Sequence, residues 1–570
     1  MTENRVLSFD ANAEFYHKRA LKAMEQQNYT GALKYLRRAV KMQPDDLELK
    51  LDMANAYALM GLYERSNLEI QLMFHKKELP TEAMFGMGSN FMALGDYDQA
   101  EAMMQVYLKL APEGEFAQQA GDALGFMAEC DYETPLDREL DELSMDGKAA
   151  LDAGDLDHAI DCLTKALEKD PNMLYVRNNL AVAYYCIGDM DKAWEQLDKV
   201  LAANPLDVHG RCNESMLCLA ESDFDGAVEA LQKLRLERIE ELDELFKYCL
   251  ALADTGLDAE LLQALKKIFL QTPYDVSMLY LCGACQYNLG RYAESVLTFE
   301  KLTLTDPDSL LAAWGAKHAA AAQRGEKNIP ERLPYVFELP NEVKEEINAC
   351  IGELTGLSPE GVAERLQDEH TRRLVHAAAL TGTDEQMQHG VMLLGYSRCE
   401  EAERILREIM LSPTHSSYFK QIVMQAMRSM KAPEPYYCLQ DGKLVMVRSK
   451  KFDFGGDVPT AYLTVMRDAI NHMSALFQDE KAVEFAAGTW ATYMMTLSGK
   501  FPKLTNPMAW IKTMEGMYLE ICGADVDWKS LATDAGVTIR TLSTRKKKLM
   551  QAGNELMLKL TDQEKDGKTE

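Results

Sequence analysis

A 34-residue spacing runs through more than half of this 570-residue chain and limits its fold more than any other feature. Pro44 and Pro112 lie 68 residues apart, and Pro171, Pro205, Pro273 and Pro307 are separated by 34, 68 and 34. Twelve residues before each proline stand Ala32, Ala100, Ala159, Ala193, Leu261 and Ser295. A recurring turn accompanies them: QQNYTGA (26–32), LGDYDQA (94–100), AGDLDHA (153–159), IGDMDKA (187–193), ESDFDGA (221–227) and LGRYAES (289–295). Glycine supplies the positive φ of a helix end, and an early aspartate suits the dipole of the next helix. Alanine lets two helices approach closely, and proline stops the second one. Helix–turn–helix units at a fixed period bury their apolar faces on neighbouring units, which is a solenoid.

These residues resemble the tetratricopeptide repeat family, whose unit is a 34-residue helical hairpin. By its pattern, units fall near 13–46, 47–80, 81–114, 140–173, 174–207, 208–241, 242–275 and 276–309. The closest matches are 81–114 (Gly88, Phe91, Gly95, Tyr97, Ala100, Pro112) and 140–173 (Gly147, Gly154, Ala159, Ala166, Pro171). Ser66 and Leu261 replace the turn alanine in two units, and residues 115–134 are out of phase, as a solitary helix or a degenerate unit. The resemblance implies that the first helices line a concave wall that binds a peptide or protein without any catalytic group.

On that wall the expected groove residues are Lys148, Tyr175, Asn178, Asn179, Tyr185, His209 and Asn213. Asn179 and Asn213 share a repeat position. Such a pair either grips the backbone of an extended ligand or bridges neighbouring helices. The family's lysine- and asparagine-rich carboxylate clamp is absent from its usual place, where His17 and Leu21 stand; Lys148 is the nearest substitute.

Beyond the repeats, LLAAWGAKHAAAAQRG (310–325) reads as a helix closing the solenoid. NIPERLPYVFELP, with three prolines in 13 residues, reads as a linker or a strapped surface segment. Residues 341–431 are helical, with breaks at 380–384, 394–399 and 412–415, and weakly resemble HEAT-like packing. YYCLQDGKLVMVR (436–448) is a two-residue hairpin around Asp441-Gly442. DWKSLATDAGVTIRTLSTRKKKLMQ (527–551) resembles a helix-turn-helix, with Leu531, Ala532, Val537, Ile539 and Leu542 inward and Gly536 at the turn. The segment before it is reminiscent of a cyclin-box bundle. If that motif binds DNA, Arg540, Ser543, Arg545 and Lys546 lie on the recognition helix and Lys547 and Lys548 on phosphate. Alternatively, this basic helix docks on an acidic protein face.

The expected fold is all-α: a repeat superhelix, a HEAT-like segment with one β-hairpin, and a C-terminal helical bundle. Its divisions are 1–134, 135–325, 326–456 and 457–570. The formal charge is −29, and −28 of it falls before residue 456, where 47 Lys/Arg face 75 Asp/Glu. Such a body repels nucleic acid and anionic lipid, so the expected partner is a protein or peptide, with DNA disfavoured and no membrane. The N-terminus lacks the pattern of a secretory signal, and no window is apolar enough to span a bilayer. Twelve scattered cysteines suit a reducing, cytoplasmic setting. Cys282-Gly-Ala-Cys285 has redox spacing but sits inside a helix, where buried thiols behave as small hydrophobes. The ten histidines show no metal spacing, and no nucleotide loop or nucleophile elbow occurs. No catalytic, cofactor-binding or metal residue is therefore expected, and the chain reads as a scaffold rather than an enzyme, the alternative being a peptide- or protein-responsive transcriptional regulator that binds DNA through the C-terminal motif.

Overall fold

The computed structural model describes residues 12–76, 79–129, 135–397, 399–412, 415–440, 443–447, 458–477, 480–497, 499–524 and 526–566. Two compact units emerge, Met1–Leu411 with Ala426–Lys431, and Ser412–Gln425 with Ala432–Glu570.

In the first unit, helical hairpins follow one another. They are α1 (Ala13–Glu25) with α2 (Tyr29–Met42), α3 (Leu47–Leu59) with α4 (Tyr63–Gln71), and α5 (Glu82–Ala93) with α6 (Tyr97–Leu110). A solitary helix, α7 (Ala117–Glu129), packs on α6 where the period slips. The series resumes with α8 (Pro135–Ala153) and α9 (Leu156–Lys169), then α10 (Leu174–Cys186) and α11 (Met190–Ala203). It continues through α12 (Val208–Ala220), α13 (Phe224–Gln232), α14 (Leu242–Thr255), α15 (Asp258–Ile268), α16 (Val276–Asn288) and α17 (Tyr292–Thr305). The helix α18 (Leu310–Gln323) covers α16 and α17. Five more helices complete the unit: α19 (Asn341–Thr355), α20 (Pro359–Arg365), α21 (Glu369–Thr381), α22 (Asp384–Tyr396) and α23 (Glu400–Leu411).

The hairpin turn is the same in all eight repeats. Gln27, Gly61, Gly95, Gly154, Gly188, Ser222, Gly256 and Gly290 occupy one register, each with φ between 58° and 81°. Gln27 and Ser222 adopt that left-handed backbone without being glycine. One residue later, Asn28, Asp96, Asp155, Asp189 and Asp223 accept the backbone N–H three residues on, capping the second helix. Four residues beyond that cap comes a fully buried contact residue: Ala32, Ser66, Ala100, Ala159, Ala193, Ala227, Leu261 or Ser295. Helical glycine is tolerated where the second helix comes closest, since a Cβ on Gly147 would lie 2.8 Å from Leu163 and one on Gly283 2.8 Å from the Phe299 ring.

Burial on adjacent hairpins alone is corrected by the structure, because the first hairpins return to the far end of the series. The Arg37 guanidinium donates to the carbonyls of Leu304 (2.5 Å) and Thr305 (3.1 Å), and Tyr29 meets Tyr274 with ring centroids 6.2 Å apart. A buried ionic knot reinforces this return. Arg404 of α23 donates to Glu69 of α4 at 2.9 Å, while Arg65 reaches Glu408 at 3.4 Å. Burial alone would raise the Glu69 carboxyl, but Arg404 and Arg65 outweigh it and hold the group below the usual carboxylate range. Charges taken from water this way demand partners, so the knot fixes the register of elements over 300 residues apart in the chain.

The second unit contains the β-hairpin, β1 (Tyr436–Gln440) against β2 (Lys443–Val447), paired antiparallel from Tyr436↔Val447 to Gln440↔Lys443. The Asp441-Gly442 turn lies outside the described residues. The helix α24 (Ser417–Ser429), which belongs to this unit as far as Gln425, precedes it; α25 (Thr460–Phe477), α26 (Glu480–Thr496), α27 (Pro507–Ile521), α28 (Trp528–Asp534) and α29 (Ile539–Asp566) follow. Tyr462, Trp490, Tyr493 and Trp510 form the aromatic centre of this bundle. Leu531, Ala532 and Leu542 pack with Ala509 and Val537, and Gly536 turns at φ 63°. Ile539, expected inside, is 48% exposed: it is the first residue of α29, at the margin of the packed cluster, and the burial of that helix begins at Leu542.

Candidate functional site

The first helices of successive hairpins touch one another, α8 with α10, α10 with α12 and α12 with α14. No comparable contact joins their second helices among the described residues. Closer approach on one side means curvature, so the first helices form the inner wall.

On that wall the expected groove residues divide. Tyr175 is exposed and donates from its hydroxyl to Ser144 Oγ at 3.3 Å. Lys148 is exposed and pairs with Asp152 one turn on, at 2.6 Å. His209 Nε2 lies 3.2 Å from Asp243, which holds the same position in the next repeat. Asn179 and Tyr185 are half-buried, and among the described residues no side-chain hydrogen bond ties either. Asn178 and Asn213 instead lie buried between helices. Asn178 Nδ2 donates to Asp207 at 2.9 Å, and Asn213 Nδ2 donates to Asn178 Oδ1 at 3.2 Å. Asp207 in turn caps α12 through the Gly210 N–H. These two asparagines are brought together, and they join one hairpin to the next.

Further along, the inner wall is already covered by the chain itself. The proline-rich segment after α18 runs over α16 as an irregular, bent strap. Tyr280 donates to the Pro334 carbonyl at 3.0 Å and Tyr287 to that of Pro330 at 2.5 Å. Asn288 holds Leu333 from both sides, donating to its carbonyl (3.0 Å) and accepting its N–H (2.8 Å). Asp258 accepts two bonds from Arg332 at 2.9 Å and one from the Tyr335 hydroxyl at 2.7 Å. Burial and the Asp258 acceptor together push the Tyr335 phenol upward, so it donates throughout the neutral range. Tyr280 and Tyr287 occupy the repeat positions of Asn178 and Tyr185, three units earlier. The sequence reading missed all these residues; their signal was polar groups at inner-wall positions facing a nearby proline-rich stretch.

Cys282 and Cys285 are buried, and burial pushes their thiols up to about 12 and about 11. Burial thus disfavours the thiolate, and both side chains pack as small hydrophobes.

Along α29, Arg540, Ser543, Lys547 and Lys548 are exposed. Arg545 is buried: its guanidinium donates to the carbonyls of Thr505 (2.6 Å) and Asn506 (3.0 Å) and covers the Trp510 ring at 4.9 Å. Lys546 pairs with Glu520 and lies 4.9 Å over the Trp528 ring. Both are committed to the bundle. Among the described residues, no helix is long and apolar enough to cross a membrane.

Residues 23–67, 82–114 and 150–210 match the tetratricopeptide repeat family, so this chain carries those repeats. It is 32% identical over 178 residues to the TPR repeat-containing protein YvcD of Bacillus subtilis (strain 168), a match covering 30% of this chain. The match spans about a third of that relative's length, 36%. Among solved structures, similarity extends to the TPR2AB-domain:pHSP90 complex of yeast Sti1, at 15% identity over 45% of this chain and 98% of that one, TM-score 0.20. A tetratricopeptide repeat protein from Parabacteroides merdae ATCC 43184 is 11% identical over 54% of this chain and 98% of its own, TM-score 0.22.

Proposed function

We propose that these repeats form a non-catalytic scaffold that holds an extended segment of a partner protein on the inner wall of residues 140–241. One observation carries the reading. The same wall, two units further on, already holds a proline-rich stretch, tyrosine and asparagine side chains donating to its backbone carbonyls while Asp258 accepts from its Tyr335 side chain. Contacts to backbone give affinity without demanding a particular side chain. On this part of the wall, Tyr175 and Lys148 are exposed, while Asn179 and Tyr185 are half-buried. Residues 1–134 and 135–325 act in this reading as two repeat blocks, with 326–456 and 457–570 adding further contact surfaces. The acid-rich body favours a basic or polar partner. A reducing, cytoplasmic setting belongs to the proposal, in keeping with the exposed, unpaired thiols of Cys186 and Cys522.

Affinity isolation with the full chain identifies the partner, and a triple variant then tests the wall. Lys148→Ala with Tyr175→Ala and Asn179→Ala lowers partner affinity at least about tenfold, the effect of losing roughly 1.4 kcal/mol. Asp198→Ala, an exposed position on the second helix α11, leaves it unchanged. Equal affinity for the folded triple variant refutes the proposal.

A further inference from the structure

One polar cluster takes no part in the inner wall. Within the hairpin of α8 and α9, Asp146 faces His158 and Cys162 across the turn, the latter two being four residues apart on one helix face. His158 Nε2 lies 3.1 Å from Asp146 Oδ2, Cys162 Sγ lies 3.5 Å from the same oxygen, and Sγ lies 3.7 Å from Nε2. Three different donor atoms thus form a small triangle. We propose that Asp146, His158 and Cys162 are a binding site for a borderline-soft divalent cation, zinc above all.

The triangle has the right size. Zinc bonds of about 2.3 Å to sulfur and about 2.0–2.1 Å to nitrogen and oxygen, set at tetrahedral angles, place the donors about 3.5 Å apart for each sulfur pair and about 3.3 Å for the nitrogen–oxygen pair. Each of these three separations lies within about 0.2 Å of that geometry; Sγ also lies 3.8 Å from Nδ1, so the imidazole turns about its side-chain bonds to aim a nitrogen lone pair at the ion. The donor set is right as well: thiolate selects zinc over magnesium or calcium, and imidazole and carboxylate complete a three-ligand zinc site. Both helices are anchored, because Asp155 caps α9 by accepting the His158 N–H at 3.2 Å and Gly147 lets α9 approach α8.

Cys162 is buried, whereas the side chains of Asp146 and His158 are about half exposed, at 59% and 47%. The fourth position is therefore left to water or to a donor from a partner. Loading exchanges one S–H bond for one metal–sulfur bond and releases one proton to solvent, so it strengthens as pH rises. Without a cation, burial and Asp146 push the Cys162 thiol up, so its sulfur stays protonated and unreactive.

Cobalt(II) and zinc titrations of the untagged full chain test the site. The expected result is one ion per chain, a thiolate-to-cobalt charge-transfer band, and visible bands of tetrahedral intensity that zinc displaces. Cys162→Ser abolishes the charge-transfer band. His158→Gln and Asp146→Asn, at exposed positions that leave the hairpin core untouched, each weaken zinc at least about tenfold, since even outer-shell partners cost that much. Absence of the band in the folded full chain overturns the proposal. So does a band that survives Cys162→Ser, or zinc affinity unchanged in both His158→Gln and Asp146→Asn.

Discussion

Asp258→Ala probes how the chain covers its own inner wall. The Asp258 carboxylate accepts two bonds from Arg332 and one from Tyr335, so it anchors both strap residues at once. Arg332 is half exposed, so its ion pair contributes about 0.5–1 kcal/mol after solvent screening. The half-buried Tyr335 hydroxyl bond to a charged acceptor contributes about 1.5–3 kcal/mol. Together, removal shifts the docking equilibrium of residues 328–337 by about 2–4 kcal/mol, or about 30- to 1,000-fold at 1.4 kcal/mol per decade. Hydrogen exchange at the Leu333 amide, bonded to Asn288 Oδ1, reads this opening directly. In Asp258→Ala it exchanges faster by that factor, while amides within α16 keep their protection. Unchanged exchange at Leu333 in the folded variant refutes the idea that Asp258 anchors the strap.

Three further outcomes follow from particular residues. Ser222→Gly relieves a left-handed non-glycine turn at φ 64° and stabilises the first unit by about 0.5–1 kcal/mol in denaturant unfolding; no gain means the turn carries no strain. Arg545→Ala destabilises the second unit by about 2 kcal/mol, whereas Lys547→Ala and Lys548→Ala stay within about 0.5 kcal/mol; equal effects contradict the buried role of Arg545. Burial, with the charges of Arg407 and Lys76, depresses His75 from 6.5 to about 3, so between those values the unfolded chain binds the proton and the folded chain does not. Stability is therefore full above about pH 6.5 and falls on acidification, with a shallower fall in His75→Gln; a thermal midpoint independent of pH across that window contradicts it.

Local chemistry made the hairpins legible in the sequence. A positive-φ residue, a capping aspartate and a small contact residue act within ten residues of one another, so each repeat declares itself, and the phase slip after Pro112 exposes the solitary α7. The return of Arg37 to Thr305 and of Glu69 to Arg404 had no such signal, because pairing between distant repeats depends on accumulated curvature. Asn178 and Asn179 differ by one step of a helix, about 100°, and that rotation buries one and frees the other. Arg545 looks like its lysine neighbours until Trp510 and two carbonyls arrive from another helix. The Asp146–His158–Cys162 triangle was hidden similarly: His158 and Cys162 share a face, but the third donor crosses the hairpin turn.

Site-specific photo-cross-linking tests inner-wall recognition most directly. A photoreactive residue is placed at position 175 on the inner helix α10 and, separately, at position 198 on the outer helix α11, and each full chain is irradiated with the isolated partner. Inner-wall binding predicts a cross-link from position 175 to an extended segment of the partner and none from position 198. Cross-linking from 198 with none from 175 contradicts it.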